Sequence, residues 1–369
     1  MEKCKLRYQF VTTAQSTCRF MTFFRPNINA MSGYVPGEQP LPGTQVIKLN
    51  TNENPYPPSP AALQVLRELE GELLRRYPDP MAGAFREAAS QVLGVPADWI
   101  LVGNGSDDLL TMIIRACSEP GQRVVYPMPT YVLYRTLTQI QGAEFVEVPY
   151  QENYTLPVES LIEAQGAVTF VASPNSPSGT VASVEQLEKL AAHLSGVLVI
   201  DEAYVDFAET NALEVVKKYD NVIILRTLSK GYSLAGLRLG FGVANPALLE
   251  GLIKVKDSYN VDAVACAVGA AAIADQDHKN TNANMIKVSR AQMADDLQKL
   301  GFHVLPSQAN FLLAQFPEGN AEFLYKSLKE RGILVRYFNQ PQLMDKLRIT
   351  VGTPEQNDAL IKGLGEVLT

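Results

Sequence analysis

Short apolar runs recur through the first two thirds of the chain. Arg123-Val-Val-Tyr126, Val168-Thr-Phe-Val171, Val197-Leu-Val-Ile200 and Val222-Ile-Ile-Leu225 each read as a short buried strand. Between them, apolar positions at helical spacing predict helices over 131–141, 183–194 and 212–219. A helix over 107–117 stops before Pro120-Gly121, and residues 239–244 read as one more strand. Alternation of this kind predicts an α/β fold, a mostly parallel sheet covered by helices on both faces. Upstream, 33–60 is broken by Gly and Pro and is expected to drape over the surface as an extended arm. Leu63, Leu66, Leu69 and Leu73 then predict one helix over 61–74. Downstream, a helical stretch over about 246–300, with interruptions, leads to a smaller α+β unit. The chain has no internal repeat and no low-complexity segment.

Composition narrows the class. At 369 residues the chain can fill two domain cores, and 46% hydrophobic with 19% charged residues is ordinary for a globular protein. A net charge of -7 argues against nucleic acid as a partner. No apolar run approaches the roughly 20 residues of a membrane span, so no membrane partner is expected. Cys4, Cys18, Cys117 and Cys266 form no Cys-x-x-Cys pair, which points to reduced thiols and a cytoplasmic setting. His193, His278 and His303 lack metal-like neighbours, so no metal site is expected. Residues 1–20 carry Lys3, Lys5, Arg7 and Arg19 against Glu2 alone, and read as an extension upstream of Met21.

In open α/β sheets, ligands gather beyond the carboxyl ends of the strands. The polar residues there are Ser173-Pro-Asn175, Asp201-Glu-Ala-Tyr204 and Thr227-Leu-Ser-Lys230. Lys230 lies between hydroxyls at Thr227 and Ser229 and an arginine at 238. That set suits a carbonyl cofactor bearing a phosphate, because the amine can form a Schiff base while hydroxyls and guanidinium hold the anion. Gly103-Asn-Gly-Ser-Asp-Asp108 opens the helix at 107 and reads either as an anion cradle or as a capped glycine turn. It is not a dinucleotide fingerprint, and no Walker A sequence occurs. Asp201 is open to three readings at this point: a metal ligand, a helix cap, or the partner of a cofactor ring nitrogen. Asn175 could be a turn residue, and Tyr204 and Tyr131 could be core packing. Arg348, inside an alternating strand pattern, needs an anionic partner, from the protein or from a substrate carboxylate.

Seven motifs in order carry a resemblance. They are Asn52-Glu-Asn-Pro55, Arg76-Tyr-Pro-Asp79, Gly103-Asn-Gly-Ser-Asp107, Ser173-Pro-Asn175, Asp201-Glu-Ala-Tyr204, Thr227-Leu-Ser-Lys230 with Arg238, and Leu347-Arg-Ile-Thr-Val-Gly-Thr353. Together, from about Phe23 to the C-terminus, they resemble the fold-type-I aminotransferases, and within these the histidinol-phosphate aminotransferases. The resemblance implies a mostly parallel seven-stranded sheet between helices, plus a smaller α+β domain. It implies an arm over 21–55 packing with the small domain, a large domain over 56–260 and a small domain over 261–369, with 1–20 as a poorly ordered extension. It implies pyridoxal 5'-phosphate, with Lys230 as covalent anchor and catalytic base. Asp201 would face the ring nitrogen, Asn175 and Tyr204 the phenolic oxygen, and Tyr131 the ring face. Gly105, Ser106, Asp107, Thr227, Ser229 and Arg238 would frame the phosphate. Tyr77 would reach the phosphate of a neighbouring subunit, which makes a homodimer with shared sites a condition of activity. Tyr34, Asn52, Arg336 and Arg348 would surround the substrate.

The implied reaction moves an amino group between L-histidinol phosphate and 2-oxoglutarate in histidine biosynthesis. An aromatic amino acid aminotransferase, a threonine-phosphate decarboxylase of the same fold and a catalytically dead scaffold are the rivals. The chain departs from the family pattern at Pro174-Asn-Ser-Pro-Ser-Gly179, where Asn-Pro-Thr is usual after Asn175, and at Asn29, where arginine is common.

Overall fold

The computed structural model describes residues 23–33, 37–41, 43–316 and 319–368. The extension over 1–20 and Tyr34 lie outside the described residues. In chain order the strands are β1 (Ile47–Lys48), β2 (Ile100–Asn104), β3 (Arg123–Met128), β4 (Glu144–Pro149), β5 (Val168–Ala172), β6 (Val197–Asp201) and β7 (Val222–Thr227). There follow β8 (Leu239–Ala244), β9 (His303–Val304), β10 (Phe311–Gln315), β11 (Ile333–Leu334), β12 (Arg336–Tyr337) and β13 (Lys346–Thr350).

Seven strands form one sheet in the order β2-β8-β7-β6-β5-β3-β4. Every pairing in it is parallel except those of β8, which runs antiparallel to both β2 and β7. The central strands are apolar on both faces because helices cover both: β5 is buried at every position and β6 at all but its first. Helix Ser106–Cys117 and helix Leu133–Gln141 help to fill one side through Leu109, Ile113 and Tyr134. Helices Gly83–Leu93, Val184–His193 and Ala263–Ala274 fill the other through Phe85, Leu190 and Val268.

Two strands of this sheet were not visible in the pattern. β2 ends in Gly103-Asn104, which reads as a turn, and the edge strand β4 alternates Glu with Val, so neither shows an unbroken apolar run. The helix expected over 61–74 is two pieces, Pro60–Glu68 and Gly71–Leu74, because Leu69 turns to extended backbone. Its leucine stripe is not core: Leu66 and Leu73 are 49% and 38% exposed. The interrupted helical stretch resolves into Pro246–Ile253, Ala263–Ala274 and Gln276–Lys299. No helix among the described residues is long and apolar enough to cross a membrane.

The second unit is an antiparallel sheet, β12-β13-β10-β9, packed on helices Gln276–Lys299, Ala321–Glu330 and Pro354–Leu368. The arm corrects the surface reading of 33–60. β1 pairs in parallel with β11, Leu49 is 1% exposed, and Thr350 N–H bonds Leu49 O at 2.9 Å. Backbone pairing makes this Pro- and Gly-flanked segment part of the core and carries Asn50–Asn54 between the two sheets. Farther upstream, Arg25 and Asn27 donate to Ile140 O and Gln139 O, carbonyls in the last turn of helix Leu133–Gln141.

Candidate active site

A cleft of about 720 Å³ opens where the carboxyl ends of the parallel strands meet the small sheet and the arm. Lys230, Asp201, Tyr204, Tyr131, Thr227 and Ser229 line it from the large sheet's side. Ser106, Asp107 and Arg238 close one end, and Asn52, Arg336 and Arg348 the other. Residues from the carboxyl ends of β2, β3, β6 and β7, from the start of β8, from the small sheet and from the arm thus converge on one cavity, at the edge where open α/β sheets gather ligands.

The anion end is built by close backbone approach. Gly105 has φ 77°, and a Cβ placed there would stand 2.6 Å from Arg238 Nη2. Gly240 on β8 serves the same end, since a Cβ on it would stand 2.7 Å from Gly105 C. Helix Ser106–Cys117 therefore begins hard against β8, and its first turn has no side-chain cap. Uncapped N–H groups and a positive dipole end face the cleft beside a guanidinium, an arrangement that suits an anion. Arg238 lies in the left-handed region at φ 56°, costly for a non-glycine residue, and its Nη2 is 3.4 Å from Asp107 Oδ2. Thr227 Oγ1 bonds Ser229 Oγ at 2.9 Å, which stacks both hydroxyls toward the same end.

Asp201 closes β6 at 6% exposure. Burial pushes its carboxyl up to about 6, against the lowering effect of a bond from Tyr134 and one from Ala203 N–H. The Tyr134 hydroxyl donates to Oδ2 at 2.6 Å and the Ala203 N–H to Oδ1 at 3.1 Å. Lys230 Nζ donates to Thr51 O at 3.2 Å and stands 5.9 Å from the centre of the Tyr204 ring. The Tyr204 hydroxyl accepts from Asn52 Nδ2 at 2.9 Å, and Asn54 Nδ2 donates to Lys230 O at 3.1 Å. The arm therefore holds the lysine loop from above. Asn175 is 1% exposed and sits beside the cleft, accepting from Thr130 Oγ1 and donating to Ser178 Oγ.

Two arginines face each other across β12 and β13, with Arg336 paired to Arg348 in register. One ring, Phe338, lies under both, 5.3 Å from the Arg336 Cζ and 5.5 Å from the Arg348 Cζ. Like charges directly opposite on a sheet repel, so such a pair is stabilised by an anion between or above the two. Arg348 is steered by Ser176 Oγ at 2.9 Å and Asn50 O at 3.0 Å. Ser176 is the position where the family pattern has asparagine, and its hydroxyl accepts from this guanidinium.

Tyr77 is not brought into the cleft. It is 81% exposed and stacks on Tyr259 with ring centres 4.5 Å apart. The sequence reading also missed Tyr134, Thr51, Asn54 and Ser176. Tyr134 had a signal, since it follows Tyr131 by one helical turn and so shares its face. Thr51 had none, because it acts through its carbonyl.

The family model of class I and II aminotransferases matches residues 44–364. Histidinol-phosphate aminotransferase 1 of Trichormus variabilis is 67% identical over 346 residues, covering 94% of this chain and 99% of that protein. Histidinol-phosphate aminotransferase of Citrifermentans bemidjiense is 44% identical, again over 94% of this chain and 99% of its own length. Among solved structures, the histidinol-phosphate aminotransferase from Sinorhizobium meliloti in complex with pyridoxal-5'-phosphate superposes with a TM-score of 0.87 at 27% identity, covering 94% and 98% of the two chains. The enzyme from Clostridium acetobutylicum shares the fold at a TM-score of 0.81 and 22% identity, over 87% of this chain and 98% of its own. With a strand-end lysine, a buried aspartate and an anion cradle in one cleft, and with these relatives spanning nearly its whole length, the chain belongs to the class I and II aminotransferases, and within them to the histidinol-phosphate aminotransferases.

Proposed function

We propose that this chain moves an amino group between L-histidinol phosphate and 2-oxoglutarate, giving imidazole acetol phosphate and L-glutamate, with pyridoxal 5'-phosphate as cofactor. The observation that carries the substrate reading is the in-register pair Arg336 and Arg348. Two guanidiniums suit the phosphate of the amino donor, and the same two suit the carboxylates of glutamate or 2-oxoglutarate. One anion subsite serves both half-reactions.

The residues present fit the cofactor. The cradle that a Cβ at Gly105 would fill, the uncapped helix start and Arg238 suit its phosphate. When bound, the cofactor supplies an electron sink for the charge left as a proton leaves the carbon bearing the amine. Lys230 would hold it covalently, and its Nζ, when free, would take and return that proton. Asp201 would sit against the ring nitrogen, Tyr131 against the ring face, and Asn175 and Tyr204 against the phenolic oxygen. Gly105, Ser106, Asp107, Thr227 and Ser229 complete the phosphate end. Asn52 holds the Tyr204 hydroxyl in place and borders the substrate. Tyr34 belongs to the same reading through its motif.

We read the enzyme as a homodimer with shared sites and a cytoplasmic setting, with domain boundaries near residues 55 and 260. Support for the dimer is that Tyr77, Leu74 and Tyr259 are exposed together. A turnover panel tests the function: histidinol phosphate, phenylalanine and threonine phosphate, each with 2-oxoglutarate. Preference for phenylalanine, or carbon dioxide release from threonine phosphate, would overturn the substrate. Arg336→Ala is expected to raise KM for histidinol phosphate at least tenfold, on the order of one charge-assisted bond, while cofactor affinity holds. Equal loss of both would make Arg336 structural.

A further inference from the structure

Tyr134 does more than its packing requires. Its ring is fully buried, stacked on Phe170 with centres 4.6 Å apart and planes within 7°, with Tyr131 edge-on at 5.6 Å. A phenylalanine would meet all of those demands. The hydroxyl is a buried polar group, expensive unless bonded, and it is aimed at Asp201 Oδ2 at 2.6 Å. Burial and the neighbouring carboxylate hold the phenol well above its ordinary range, so it stays protonated and donates. A fixed donor favours the ionised form of the acid it points at.

We propose that Tyr134 is a positioning residue for the electron sink: by donating to Asp201 it keeps that group a carboxylate, so the proton shared with the cofactor's ring nitrogen rests on the nitrogen. This rests on the reading above that Asp201 faces that nitrogen. Two acids oppose the arrangement. Asp107, at the start of helix Ser106–Cys117, and Glu202, next along the chain, both raise the proton affinity of Asp201. Each is countered in place: Glu202 by Arg226 at 2.7 Å, and Asp107 by Arg238 at 3.4 Å and by the Tyr131 hydroxyl at 3.2 Å. Tyr150 and Tyr126, which also face Tyr134, are both held up by burial and stay neutral. The Tyr134 hydroxyl is thus the one side-chain donor aimed at Asp201 itself among the described residues.

The test reads the proton directly. Pyridoxal 5'-phosphate labelled with ¹⁵N in the ring is bound to parent, Asp201→Asn and Tyr134→Phe proteins, and the nitrogen resonance is followed against pH. Asp201→Asn should move the resonance to the unprotonated position; if it does not, the reading of Asp201 fails, whatever Tyr134 does. Given that shift, Tyr134→Phe should move the nitrogen resonance, at pH below its titration, toward the unprotonated position, because the shared proton shifts about tenfold in favour of a more basic Asp201, the worth of one hydrogen bond to a charged group. A Tyr134→Phe resonance identical to the parent's overturns the proposal. Should Tyr134→Phe fold poorly, 3-fluorotyrosine at 134 carries the test. It is nearly isosteric and a stronger donor, so the shared proton should lie no less on the nitrogen than in the parent, and a resonance displaced toward the unprotonated position overturns the proposal.

Discussion

At Asp201, burial moves the carboxyl from 3.8 up to about 6. The folded, cofactor-free chain therefore binds this proton more tightly than the unfolded chain. Its contribution to stability is complete below pH 3.8 and is lost as pH rises through about 6. The loss is about 3 kcal/mol at neutral pH, at roughly 1.4 kcal/mol per unit. Asp201→Asn has no charge to bury, and its amide satisfies both partners if Oδ1 takes the Ala203 N–H and the Tyr134 hydroxyl accepts from Nδ2. Thermal unfolding of the cofactor-free proteins is expected to show the variant more stable at pH 7 and the two alike at pH 4. A variant less stable at pH 7 would mean that the carboxylate is already compensated. The aspartate was legible in the sequence because it ends an apolar run, as was Lys230. Tyr134 and Thr51 were not, since one depends on how a helix is rotated and the other on a carbonyl that no side-chain pattern encodes.

The site's elements come close together because of what their glycines leave out. Strand β8 meets the start of helix Ser106–Cys117 at Gly240, where a Cβ would run into Ser106 N and Gly105 C. Both are backbone atoms and cannot swing away. Gly240→Ala is expected to cost about 1–3 kcal/mol, the usual penalty of overpacking, and to weaken cofactor affinity by moving the anion end. Gly251→Ala is the control: it lies in helix Pro246–Ile253 with open space at its Cβ, and should be neutral or stabilising by up to about 1 kcal/mol. Denaturant midpoints and cofactor titrations of the two variants check both statements. Most elements were legible because buried parallel strands and amphipathic helices have distinct periods. The failures share a cause. β2, β4 and the arm carry Gly, Pro or Glu at positions whose partners lie far along the chain, so tertiary pairing decides their state. The leucines of 61–74 fit a helical period but not one buried helix, because that face is left exposed.

At the scale of the whole molecule, the exposed set Leu66, Leu74, Tyr77 and Tyr259 lies outside the cleft. If a second copy covers it and lends Tyr77, chains carrying Lys230→Ala and Tyr77→Ala should complement each other. A mixed dimer has one site with both residues intact, so an equal mixture, exchanged to equilibrium, should recover about a quarter of parental turnover. Recovery no greater than the sum of the separate variants would place each site within one chain. The order of strands in the large sheet also sets a timetable for synthesis. β2 has one sheet neighbour, β8, and the ribosome makes β8 roughly 135 residues later. At translation rates of about 5–20 residues per second, β2 waits on the order of ten seconds for its partner. Through that interval Ile100, Leu101 and Val102 are an unpaired apolar edge on a nascent chain. The Gly105–Asp107 cradle takes its shape only after Gly240 has left the exit tunnel.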